Sequence, residues 1–176
     1  MIGQDLIILI VQIIAALGVV VSVIYLGIQI KQQNVITKAQ FGHSLTQRLY
    51  DRYFQTSKDP EYAKFMARDW SKPIEDPSDG WRISMAILTY LVDIFDVYDK
   101  VQAGLVDKSH LDTRMRTLKF GVMKTQIAKG TWASWKPNRD ETFVNWFENE
   151  IYGEEGFEYN QSEADERRAN LNTHRD

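Results

Sequence analysis

The chain has 176 residues, a formal net charge of −3 and no cysteine, which excludes disulfides and thiolate metal sites. Its basic side chains are not clustered as a nucleic-acid partner requires. With the apolar N-terminal run and the polar tail set aside, about 120 residues remain, enough for one small domain and not for two.

Residues 1–5 carry a single charge, Asp5, and are expected as a short extracytoplasmic tail. Residues 6–30, LIILIVQIIAALGVVVSVIYLGIQI, are apolar or small except at Gln12, Ser22, Tyr25 and Gln29. As a helix rising about 1.5 Å per residue they reach roughly 37 Å, enough to cross a hydrocarbon core of about 30 Å with some tilt. No basic n-region precedes them, so the reading is a retained transmembrane anchor and not a signal peptide. Lys31, Lys38, Arg48 and Arg52 follow the run, which by the positive-inside rule puts the N-terminus outside and the body in the cytoplasm. A buried core helix is the alternative, disfavoured by the length of the run.

Within the run, Ile8, Ala15, Ser22 and Gln29 fall seven apart, and Gln12, Val19, Leu26 and Gln33 form a second heptad row beside them. The resulting seam of Gln12, Ala15, Ala16, Ser22, Gln29 and Gln33 allows close helix approach and interhelical hydrogen bonds, each worth about 1 kcal/mol in lipid. Polar side chains tolerated near the two interfaces are the plainer reading. A pore along the seam is weaker still, because no charged ring lines it.

From Lys31 the pattern Ala39, Phe41, Leu45, Leu49, Tyr53 keeps helical spacing, so the first helix is expected to continue into the cytoplasm, with a bend possible at Gly42. Asp59-Pro60-Glu61 is a helix start, with Asp59 as N-cap, and this helix should reach about Trp70. After Pro73 and Pro77, Ser78 or Asp79 opens the strongest soluble helix. Trp81, Met85, Leu88, Val92 and Phe95 form its apolar stripe, Ile87, Leu91, Ile94 and Tyr98 widen it, and Gly104 closes it. Asp107 or Ser109 caps the next helix, expected to run to about Lys129 and end at Gly130. A last helix follows Pro137-Asn138, packs through Phe143, Trp146, Phe147 and Ile151, and stops at Gly153 and Gly156. The fold class is therefore all-α, a single transmembrane helix continuing into a cytoplasmic bundle of about four to five helices over 31–153. Basic side chains outnumber acidic ones over 31–147 and the reverse holds over 148–176, so the body suits anionic headgroups while the tail is pushed toward water. Residues 154–176 read as an acidic, disordered tail with a weak helix over 162–170.

Chemistry is sparse. Asp93, Asp96 and Asp99 fall at i, i+3 and i+6, a row that could hold a divalent cation, pair with Arg or Lys from a neighbouring helix, or form a solvated edge. His43, His110 and His174 have no ligand spacing, and no nucleophile elbow or phosphate loop occurs. Trp132, Trp135 and Trp146 with Phe143 and Phe147 form an aromatic cluster, read as core, with a ligand pocket or a membrane-facing belt as alternatives. No cofactor is expected.

Ile24-Tyr25-Leu26-Gly27-Ile28-Gln29-Ile30-Lys31-Gln32, Asp59-Pro60-Glu61, and Tyr98 with Gly104-Leu105-Val106-Asp107 together resemble a group of small bacterial single-pass inner-membrane proteins with no established activity. The resemblance spans residues 6–147. It implies a helical body on an inner-membrane anchor and carries no activity over. The expectation is a non-enzymatic interaction, scaffold or regulatory protein that touches the lipid bilayer and either self-associates or binds a protein partner. A metal-dependent enzyme or sensor using the aspartate row and a small oligomeric channel are the alternatives.

Overall fold

The computed structural model describes residues 2–72, 74, 76–160 and 162. All regular structure among them is helical: α1 (Ile2–Lys58), α2 (Pro60–Met66), α3 (Pro77–Gln102), α4 (Ser109–Lys119), α5 (Gln126–Trp135) and α6 (Glu141–Tyr152), with short 3-10 turns at Val122–Lys124, Lys136–Asn138 and Gly153–Glu155. The chain divides into two compact units, Met1–Ser44 and Leu45–Asp176.

The first unit is helix alone. By length and composition α1 is long and apolar enough to cross a membrane, and none of its most apolar window is buried. Every side chain over 6–30 is exposed. Asp5 in the first turn and Lys58 in the last suit the helix dipole, and the helix passes Gly42 without interruption.

The second unit has its own core. Asp59 caps α2 by accepting from the amides of Glu61 and Tyr62, both at 3.0 Å, and Pro60 takes the first helical position. This helix ends at Met66, short of Trp70, because the chain turns there; Trp70 still reaches the core and donates Nε1–H to the carbonyl of Phe65 at 3.3 Å. Asp76 accepts from Ser78 N, so α3 begins at Pro77 by the same Asp-Pro device as α2, earlier than Ser78 or Asp79. Gly104 at φ +65° turns the chain after it.

The helix expected to run to Lys129 is two helices, because Gly121 takes φ +102°, the left-handed region that breaks the ladder after Phe120, and Thr125 then accepts from Ala128 N to cap α5. Gly130 lies inside α5, where it leaves room for Tyr159: a Cβ there would meet the Tyr159 Oη at 2.7 Å. Gly121→Ala should lower stability by about 1–2 kcal/mol through the left-handed penalty. Urea unfolding of the full chain in detergent checks this, and an unchanged midpoint would contradict it.

On α3 the expected apolar face is only partly buried. The stripe expected in the core is largely outside: Trp81 is 65 % exposed, Met85 36 % and Val92 48 %, and only Phe95 of that row is buried. Ile87, Leu91, Ile94 and Tyr98, expected to widen that stripe, are buried, and Ile83, Ala86, Val97 and Asp93 are buried with them. Both stripes are apolar and adjacent. Asp93 lies on the buried face, where Arg114 compensates its charge. Leu111, Met115 and Leu118 of α4, Ala128 and Trp132 of α5, and Phe143, Phe147 and Ile151 of α6 complete the core. Beyond α6, Gly153 at φ +59° stops the helix, and Phe157 packs 5.3 Å from the Tyr152 ring, so the segment expected as a free tail begins as packed chain. Most of the helix expected over 162–170 lies outside the described residues.

Candidate functional site

Gln12, Ala15, Ala16, Ser22, Gln29 and Gln33 all stand exposed on one side of α1, within the first unit. Ser22 donates Oγ–H to the carbonyl of Gly18 at 2.8 Å, so its proton is spent inside its own helix and only its lone pairs face outward. Donors for a neighbouring helix must then come from the glutamine amides. Gly18, passed over in the sequence, lies one turn from Ser22 with nothing within 4 Å of where a Cβ would stand. Ala15, Gly18 and Ser22 thus form a flat shelf between polar ends.

In the second unit the three aspartates share one side of α3, and each is met by basic side chains. Asp93 is 5 % exposed, and Arg114, 3 % exposed, donates from Nε to its Oδ2 at 2.8 Å. Arg114 also donates from Nη1 to the carbonyl of His110 at 3.0 Å and from Nη2 to the carbonyl of Leu45 at 2.8 Å. One guanidinium therefore fastens α3, α4 and the last turns of α1. Arg52 reaches the same Asp93 oxygen at 3.0 Å and lies over the Tyr90 ring at 4.8 Å. Arg48 stands 3.5 Å from Asp93 Oδ1, which accepts no hydrogen bond from the described residues, and donates to Asp96 at 2.5 Å. Lys100 also binds Asp96. Asp99 takes a two-pronged contact from Arg139, at 2.5 and 3.0 Å, and that guanidinium is stacked over Phe95 and Phe143 at 5.1 and 4.5 Å.

Of the three readings the sequence left open for this row, ion pairing across helices is the one the geometry realises. Among the described residues no group of three or more His, Cys, Asp or Glu side chains comes together as a metal site. Burial pulls the Arg114 guanidinium below its ordinary value while the Asp93 charge opposes it. Burial alone would raise Asp96, but the hydrogen bonds from Lys100 and Arg48 outweigh it and hold the carboxyl below its ordinary value. The unfolded chain then binds the Asp96 proton at a higher pH than the folded one. This stabilisation is full above about pH 4 and is lost as pH falls through the lower folded value. Asp96→Asn should accordingly flatten the loss of stability below about pH 4. Denaturant midpoints across that range check this, and identical acid dependence in both proteins would contradict it.

Trp132, Phe143 and Phe147 are fully buried, with the Trp132 and Phe147 rings 4.6 Å apart and Tyr98 edge-on to Phe143 at 4.7 Å. Trp132 donates Nε1–H to Glu148 at 2.9 Å, which Lys136 also holds at 2.9 Å. These rings fill one another's space. Trp146 is half-buried and Trp135 exposed, so the five aromatic residues do not form one enclosure. An open groove of about 350 Å³ lies outside Trp146, beside Met115, Arg116 and Phe120. Neither the family models, the curated proteins nor the solved structures contain a match to this chain.

Proposed function

We propose that this chain is a single-pass protein of a bacterial inner membrane, its N-terminus outside and its helical bundle in the cytoplasm, acting by association and not by catalysis. The observation that carries the reading is the exposure of every side chain over 6–30, beside a second unit that already buries a core of its own. So long an apolar surface has no stable place in water, since leaving it exposed forgoes about 25 cal/mol for each Å². The bilayer covers it. A helix apolar all round has no need of a polar seam, so the side bearing Gln12, Ala15, Ala16, Ser22, Gln29 and Gln33 is where a second anchor helix packs, through the shelf and the amides. The partners are lipid and another copy of the chain, or a protein held by the bundle.

Crosslinking in isolated membranes tests this. The wild-type chain is expected in the fraction that resists alkaline extraction, with a crosslinked dimer or larger species. Gln12→Leu together with Ser22→Leu should reduce that species several-fold. A chain extracted by alkali contradicts the anchor, and a monomer throughout, or variants indistinguishable from wild type, contradicts the seam.

A further inference from the structure

The exposed stripe of α3 is left without a partner by the fold. Trp81, Met85, Leu88 and Val92 fall four, three and four residues apart, the spacing of alternating d and a positions in a two-helix seam. Trp81, Met85 and Val92 are exposed and Leu88 half-buried. In a parallel pair, Leu88 at a d position with Val92 at an a position is the combination that favours two strands over three or four.

We infer that this stripe is where a second copy of the chain docks its cytoplasmic part, α3 against α3. The inference rests on the anchored reading above and deepens it. Two observations select a second copy as the occupant. The first is charge: Arg82 is paired with Asp79, Asp96 with Arg48 and Lys100, and Asp99 with Arg139, so the charged groups bordering the stripe are satisfied within the chain. An isologous interface sets a surface against itself, which a patch of one sign opposes and a neutralised border does not. An acidic or basic partner would find little here to pair with. The second is size. Four side chains supply on the order of a few hundred Å² per copy, below the roughly 800 Å² a side of a stable free complex. Such a face is sufficient only for a partner already held close. A copy anchored in the same membrane is one, because tethering replaces a bimolecular encounter by a high effective concentration.

The absence of cysteine makes the test direct. Met85→Cys and Leu88→Cys, at seam positions that face their own counterparts in a parallel pair, are oxidised in native membranes beside Asn145→Cys, an exposed position on α6, and Ser22→Cys in the anchor. Disulfide-linked homodimer is expected at Met85→Cys and Leu88→Cys, several-fold above Asn145→Cys. Dimer through Ser22→Cys with none at the two α3 positions overturns the α3 interface and leaves the anchored, self-associating reading intact. Equal dimer at Asn145→Cys, or links from α3 to a different protein only, also overturns it. A chain absent from the membrane fraction removes the anchored reading, and this inference with it.

Discussion

Arg114→Met should lower the stability of the second unit by about 3–5 kcal/mol, a large share of the about 5–15 kcal/mol that holds a domain of this size. The loss is not the value of one ion pair. Arg114 bonds the carbonyls of Leu45 and His110 as well as Asp93, and its removal leaves Asp93 with Arg52 on Oδ2 at 3.0 Å and Arg48 3.5 Å from Oδ1. A buried carboxylate that loses one of its two donors is left undercompensated, which adds to the cost of the three hydrogen bonds that go with Arg114. Asp93→Leu combined with Arg114→Met should recover much of the loss, because the charge and its partner leave together. Recovery stays partial, since Arg52 then has no carboxylate and the Leu45 carbonyl loses its donor. Unfolding by urea, followed by circular dichroism of the full chain in detergent, gives the single and double values. An Arg114→Met chain within about 1 kcal/mol of wild type would contradict the role assigned to this side chain.

Phe147→Ala is expected to destabilise by about 3–5 kcal/mol, and Trp135→Ala by no more than about 0.5 kcal/mol. Phe147 is fully buried against Trp132 and Phe143, at ring distances of 4.6 and 5.8 Å, so truncation opens a cavity among side chains with little freedom to collapse. Trp135 sits three residues beyond Trp132 and is 37 % exposed. The same unfolding measurement separates them. Similar losses at the two positions would contradict the division of the aromatic residues into core and surface. Small losses at both, with a tightly retained small molecule, would favour a pocket over a core.

What was legible in the sequence depended on whether the determining signal was local. The length of α1, the Asp59-Pro60 cap, the turn at Gly104 and the stop at Gly153 are written in neighbouring residues, and all appear in the structure. The Asp76-Pro77 start carries the same local signal just before the expected start at Ser78 or Asp79. Gly121 lies within a helical pattern, and nothing in the adjacent residues reveals that the chain must turn there. The face of α3 was a tertiary matter. The expected apolar face spans two stripes, and the buried one carries Asp93, whose partner Arg114 lies 21 residues away. The aspartate row was visible at once. Its partners were not, since Arg48 and Arg139 stand 48 and 40 residues away from the carboxylates they bind. The seam on α1 was legible as spacing, while the engagement of the Ser22 hydroxyl with Gly18 and the shelf this leaves belong to geometry.

The most direct test of the anchored, self-associating account is the mass of the intact complex released gently from native membranes, with every co-purifying protein identified. The account predicts a complex of two or more copies of this chain, retained in the membrane fraction until detergent is added. A single copy in stoichiometric complex with a different protein, or a chain recovered without detergent, would contradict it.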